Sequence, residues 1–247
     1  MGIDETTKRR YRYPRRRGMR FILRRLIDLA FFTLTDLEIV GRENLPPAGP
    51  LIVVANHFTF ADPAAVIRAL PWPLDFLGGF QMPDAPPLMD LLPKMWGIYT
   101  VRRGAASLSA MRAARAVLAQ DGILGIFPEA GSWAQVLRPA RPGTAYVAVQ
   151  TRAPLLPIGL DGVVDIFPRL RRGRRAKVTI RIGRPFGPFE TAARGQALRQ
   201  ELEEIGHEIM RHIAELIPPA QRGIYSDDPE IRAAAQEAAI YPYDDLN

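Results

Sequence analysis

Leu51-Ile52-Val53-Val54-Ala55-Asn56-His57-Phe58-Thr59-Phe60-Ala61-Asp62-Pro63-Ala64-Ala65-Val66-Ile67-Arg68-Ala69-Leu70 reads as a strand, a loop and a helix. The uninterrupted apolar run Leu51 to Ala55, rich in β-branched residues, is what a strand buried in a sheet requires. Asp62 and Pro63 suit the N-cap and first position of a helix continuing to Leu70. His57 therefore stands on a strand-to-helix loop with a carboxylate five residues on, the pair that a general base and its orienting acid need. An Asp-Pro helix start has no catalytic duty of its own, so capping and catalysis are both open on these residues alone.

The alternation of strand and helix continues on both sides. Leu37 to Gly41 reads as a short strand, and Asn44 to Pro50, with three prolines and Gly49, as a turn. Residues 71–99 combine a short strand with a broken helix and carry Trp72, Phe76, Phe80, Met82, Met95 and Trp96. Ser107 to Ala119 predicts a helix with Leu108, Met111, Arg115 and Leu118 at helical spacing, and Ile123 to Phe127 a buried strand. Arg141 to Arg152 has helical character; Leu155 to Leu160 is a strand broken by Pro157; Lys177 to Gly183 alternates with Val178, Ile180 and Ile182 on one face. Gln196 to Ile217 is the clearest helix, with Leu198, Leu202, Ile205, Ile209, Ile213 and Leu216 on one stripe. Together these predict one α/β domain over residues 37–217, a central mixed β-sheet flanked by helices and preceded by an N-terminal amphipathic helix. Residues 218–247 form a polar C-terminal tail with one helical stretch near Pro229 to Ala239.

The 247 residues are 47% hydrophobic and contain no cysteine. A sizeable core is expected, while disulfides, thiolate metal sites and a cysteine nucleophile are excluded. No metal site is readable, since His207 and His212 share a helix without nearby partners. Net charge is +7, and of 33 basic residues only Lys8, Lys94 and Lys177 are lysine. Arginine dominance suits phosphate binding and follows equally from genomic base composition. Ten basic residues and no acid lie between Lys8 and Arg25. Such a run prefers a polyanion, either nucleic acid or an anionic membrane. Residues 1–17 read as a basic flexible arm and residues 18–36 as an amphipathic helix, with Phe21, Ile22, Leu26, Leu29, Phe31 and Phe32 among its arginines. Asp28 and Asp36 interrupt a stretch already too short to span a bilayer, and no signal-peptide pattern is present. A helix lying in the headgroup layer of anionic lipids is favoured over a core-packing helix with a solvated arm. No motif for reading nucleic acid accompanies the arm, so nucleic acid is not expected as a partner.

Two more polar clusters stand at strand ends, where open α/β sheets place ligands. Gly97-Ile98-Tyr99-Thr100-Val101-Arg102-Arg103-Gly104 offers paired arginines suited to phosphate. Gly125-Ile126-Phe127-Pro128-Glu129-Ala130-Gly131-Ser132-Trp133 turns sharply after an apolar strand. In this order the blocks resemble those of glycerolipid acyltransferases of the lysophosphatidic acid (1-acylglycerol-3-phosphate) acyltransferase type. His57 to Asp62 matches the family's H-x-x-x-x-D signature, and Gly97 to Arg103 its second motif. Phe127-Pro128-Glu129 matches the start of F-P-E-G, and Ala153-Pro154-Leu155-Leu156-Pro157-Ile158-Gly159 resembles V-P-x-x-P-V. The lead-in Val40 to Pro46 also fits, and the resemblance covers roughly residues 37 to 186.

The resemblance implies an O-acyltransferase that moves a fatty acyl group from an acyl-CoA or acyl-carrier-protein thioester to a hydroxyl of a lysophospholipid, most readily lysophosphatidic acid. No cofactor beyond that thioester co-substrate is implied. His57 would be the base and Asp62 its orienting acid. Arg103, Glu129, Phe127, Pro128, Gly131 and Ser132 would shape the acceptor site, with Arg103 on the acceptor's phosphate. The large apolar residues of 71–99 would wall an acyl-chain pocket, or simply form core. The chain would lie peripherally on the cytoplasmic face of the membrane. One departure stands out. Where the family continues F-P-E-G-T-R, this chain has Ala130, Gly131 and Ser132, so the usual arginine is missing. Arg102, Arg138 and Arg141 are candidates to supply phosphate-binding charge. Alternatively the acceptor is another lysophospholipid, a glycolipid or an amine-bearing lipid. A non-catalytic lipid-binding relative and a hydrolase using the same base are the remaining readings. Ser132 lacks the G-x-S-x-G setting of a nucleophile.

Overall fold

The computed structural model describes residues 5–78, 91–101, 108–131 and 134–238. Its strands are β1 (Thr35–Val40), β2 (Leu51–Ala55), β3 (Leu74–Gly78), β4 (Tyr99–Thr100), β5 (Ile123–Ile126), β6 (Leu155–Asp161) and β7 (Ala176–Ile182). They form one sheet in the order β1-β7-β6-β2-β5-β3-β4. Every pairing is parallel except β6 with β7. The expected mixed sheet is therefore present. Its helices are α1 (Glu5–Arg10), α2 (Arg17–Leu34), α3 (Asp62–Ala69), α4 (Leu91–Trp96), α5 (Leu108–Leu118), α6 (Pro142–Thr151), α7 (Ile166–Leu170), α8 (Gly195–Ala214) and α9 (Pro229–Ala238).

The apolar run of β2 is explained by its place between β6 and β5, where none of its residues is more than 1% exposed. Alternate side chains serve opposite faces. Leu51, Val53 and Ala55 pack with Leu23 and Phe31 of α2 and Ala65 and Val66 of α3. Ile52 and Val54 pack with Val117 of α5 and Ile209 and Ile213 of α8. Helices thus cover both faces, as a mainly parallel sheet requires.

Three local readings differ from expectation. Pro157 does not break β6. Gly183 donates its N–H to the Pro157 carbonyl at 2.9 Å, and β7 ends at Ile182. The N–H that proline lacks falls where the neighbouring strand has run out, so no ladder bond is lost. In α5, Leu108 is 70% exposed, while Ala110, Ala113, Ala114 and Val117 face the core. Small side chains let this helix sit close to the sheet, a face that a search for large apolar residues passes over. The basic N-terminal segment is also tied to the domain. Tyr13 donates its hydroxyl to the Pro73 carbonyl and its N–H to Gln120 Oε1, and Arg15 lies over the Tyr99 ring at 4.5 Å.

Helix α2 is anchored from within. Arg20, 4% exposed, pairs with the fully buried Asp75 of β3, donates Nε–H to the Trp96 carbonyl at 2.9 Å and lies over the Trp96 ring. Its other side carries Phe21, Ile22, Leu26, Leu29 and Phe32, all at least 56% exposed. Near the far end of the chain, residues 219–226 fold back on the domain. Leu137 donates its N–H to the Gln221 carbonyl at 2.8 Å, and a side chain at Gly223 would strike the Leu137 carbonyl.

Candidate active site

Strands β2 and β5 are parallel neighbours, so Ala55 and Ile126 bring two polar loops to the same edge of the sheet. The chain leaving β2 is fixed at Asn56, whose side chain is fully buried. It donates to the Leu160 carbonyl at 2.9 Å and accepts from the Leu160 N–H at 2.8 Å. This two-way amide bond to β6 sets the position of the next residue, His57.

Asp62 Oδ2 lies 3.1 Å from His57 Nδ1. The same oxygen accepts the N–H groups of Phe58 at 2.7 Å and Thr59 at 2.8 Å. The sequence reading of Asp62 as a helix cap is corrected here. Ala61 occupies the N-cap position, and Asp62 is the first residue of α3. Its carboxylate turns backward because the loop before it presents two N–H groups and an imidazole, a stronger set than the helix amides ahead. Asp62 is 1% exposed and rigidly held. With Nδ1–H donated to this carboxylate, the lone pair of the imidazole resides on Nε2. The His57 side chain keeps 18% exposure, so the ring is sheltered yet reachable.

The ring is also supported from below. His57 stacks on Phe127 with centroids 4.3 Å apart, and Phe127 lies parallel to Phe76 at 6.1 Å. Gly125 makes room for this arrangement, since a Cβ there would lie 2.5 Å from the Phe76 ring.

Glu129 is 2% exposed and faces inward. Its Oε1 accepts the His57 N–H at 2.8 Å and its Oε2 the Arg138 N–H at 3.2 Å. Burial pushes its carboxyl up to about 8, against the opposing pull of the His57 N–H and of Arg138. Glu129 therefore joins the loop after β5 to the backbone of the histidine. Arg138, read as a candidate phosphate ligand, is 3% exposed and donates to the Gly131 carbonyl at 2.6 Å. It stiffens the loop from inside. Pro128 is buried and accepts the Arg141 N–H at 2.8 Å, while the Arg141 side chain is exposed at the start of α6. Arg102, Arg103 and Ser132 lie outside the described residues, as do Phe80 and Met82. The last turn of α4 is held by the N-terminal segment, since Arg16 donates to the carbonyls of Lys94 and Met95.

Sequence reasoning passed over Asn56 and the conformation of Ala130. An Asn directly after an apolar strand was the available signal for the first. Ala130 has φ +57°, in the left-handed region that favours glycine. The turn from Phe127 to Ala130, closed by a 3.1 Å N–H to carbonyl bond, gives a physical reason for glycine in the F-P-E-G pattern. His207 bonds the Tyr225 hydroxyl at 2.9 Å and His212 stacks on Phe186, both packing roles. Among the described residues no cluster of His, Asp or Glu could hold a metal ion.

The sequence model of the family described as Acyltransferase matches residues 36–161, just over half of the chain. The 1-acyl-sn-glycerol-3-phosphate acyltransferase alpha of Homo sapiens is 24% identical over 162 residues, 63% of this chain and 56% of that protein. Those of Ovis aries and Bos taurus are also 24% identical, over 63% of this chain and 55% of each. The chain thus spans a little over half the length of these relatives. The crystal structure of the 1-acyl-sn-glycerophosphate (LPA) acyltransferase PlsC from Thermotoga maritima has the same fold. It superposes with a TM-score of 0.54 at 22% identity, over 83% of this chain and 86% of that one. The region matched by the family runs through the His57–Asp62 pair, the Glu129 turn and all of β6, and on that match the chain belongs to the acyltransferase family.

Proposed function

We propose that this protein transfers a fatty acyl group from an acyl-CoA or acyl-carrier-protein thioester to a hydroxyl of a lysophospholipid, with lysophosphatidic acid as the first acceptor to test. The observation that carries this reading is the His57–Asp62 pair, with Nδ1 held by a buried carboxylate and a sheltered Nε2 left to act. Nε2 takes the proton of the acceptor hydroxyl as its oxygen attacks the thioester carbonyl carbon. The tetrahedral intermediate collapses, the carbon–sulfur bond breaks, and the imidazolium returns the proton to the departing thiolate. Asp62 stabilises the imidazolium in between. No covalent acyl-enzyme is needed, in keeping with a chain that has no cysteine. Arg103 and Arg141 are the proposed partners of the acceptor's phosphate. Phe127 and Glu129 act on His57, one under the ring and one on its backbone.

The exposed apolar side of α2 supports a second part of the proposal, a peripheral position on a membrane with anionic lipids. Five large apolar side chains lie on that side, with arginines nearby. Among the described residues no helix is long and apolar enough to cross a membrane. A water-soluble thioester donor suits the cytoplasmic face.

Because Ala130, Gly131 and Ser132 replace the family's G-T-R, acceptors are best compared side by side. Purified protein with a long-chain acyl-CoA is offered lysophosphatidic acid, lysophosphatidylcholine or a glycolipid, and acylated lipid is measured by mass spectrometry. Faster formation of phosphatidic acid than of the other products supports the proposed acceptor. Transfer only to an uncharged or zwitterionic acceptor overturns that choice, and no transfer to any lipid overturns the reaction.

A further inference from the structure

A pocket of about 270 Å³ lies away from His57, between the C-terminal half of α2, strand β1 and the last turn of α3. Phe31, Phe32 and Leu37 give it apolar walls, and Arg42, Arg68 and Arg175 line it with positive charge. We infer that this pocket holds the phosphate of an anionic membrane phospholipid, with the glycerol and upper acyl chain against the phenylalanines.

The charges at the pocket are incompletely matched. Asp28 is shared, lying 3.6 Å from both Arg68 Nε and Arg25 Nη1. The Arg68 Nε–H is buried and, among the described residues, has no hydrogen-bond partner. Arg42 makes no ion pair among the described residues. Arg175 is matched best. It pairs with Asp36 at 3.2 Å and donates to the carbonyls of Phe32 and Thr35, so it also closes the C-terminal end of α2. A surplus of guanidinium groups over carboxylates beside an apolar wall is the chemistry of a phosphate that carries a lipid. Phe32, 74% exposed, belongs both to the pocket and to the apolar side of α2, so the pocket opens where that side would meet lipid. This inference rests on the membrane-facing reading of α2 and is independent of the acyl-transfer reaction.

The test uses the full chain and soluble short-chain lipids, so that bilayer binding is not required. Dihexanoyl phosphatidylglycerol, dihexanoyl phosphatidylcholine and inorganic phosphate are titrated by calorimetry, and hydrogen exchange locates each effect. Saturable binding of the phosphatidylglycerol is expected, with protection over residues 31–42. It should weaken about tenfold in Arg42→Gln/Arg68→Gln and less in the single variant Arg42→Gln, which alters only an exposed side chain. Leu26→Ser/Leu29→Ser should keep it even if vesicle binding is lost, which separates failure of the pocket from failure of the membrane-facing reading. Undiminished binding in both arginine variants overturns the inference. So does protection confined to residues 56–62 and 127–131. Equal affinity for phosphatidylcholine, or for inorganic phosphate alone, overturns the anionic lipid as occupant.

Discussion

Glu129 is the residue whose chemistry departs furthest from what its type suggests. A carboxylic acid with an ordinary value near 4.5 is pushed by burial up to about 8, while its oxygens bond the backbones of His57 and Arg138. Between those two values the folded protein holds a proton that the unfolded chain has released. Stability contributed by this group is therefore present at low pH and lost as pH rises through about 8. Chemical denaturation of the wild type and of Glu129→Gln at several pH values reads this directly. The wild type should lose more stability than the variant as pH rises through that window, and parallel curves would contradict the assignment. Spacing in the sequence exposed His57 and Asp62, which are five residues apart. It could not expose the bond from Glu129 to the His57 backbone, 72 residues away, or the left-handed turn at Ala130. Asp62 shows the limit from the other side. An Asp-Pro pair announced the helix start, yet the carboxylate serves the loop behind it.

Among the elements, α2 carries the most consequence. Leu23 and Phe31 face the core, and Arg20 is locked to Asp75, so the helix cannot turn its outer side inward. Leu26 and Leu29 are 57% and 59% exposed, and none of the described residues covers them. Replacing both by serine should leave the thermal unfolding midpoint nearly unchanged. It should weaken partition onto phosphatidylglycerol-containing vesicles by about a hundredfold, given roughly 1.5 kcal/mol for each of the two leucines withdrawn from lipid. Unchanged sedimentation with vesicles would remove α2 from the membrane contact. The apolar periodicity that marked this helix was plain in the sequence, and so were β2 and α8. The buried alanine side of α5 was not, because alanine carries little weight in an apolar pattern although it governs how closely a helix approaches a sheet. Pro157 misled for a related reason. Whether a missing N–H matters depends on where the partner strand stops, and that is a property of the assembled sheet.

Across the whole molecule, parallel strands bring two separated loops to one sheet edge. His57 follows β2 and Glu129 follows β5. The alternation of strands and helices made this α/β architecture legible, whereas the strand order and the single antiparallel pair between β6 and β7 arise from contacts the alternation does not specify. Packing reinforces the site at a distance. Gly125 admits Phe76, Phe76 backs Phe127, and Phe127 lies under the histidine ring. All of this geometry positions one nitrogen, His57 Nε2. The direct measurement is thiol release from an acyl-CoA in the presence of the acceptor lipid, compared for the wild type and His57→Ala at equal folded concentration. Loss of the base should lower the turnover number by about 10² to 10⁴-fold with the fold intact by circular dichroism. A variant that transfers acyl groups at the wild-type rate would show that His57 is not the base.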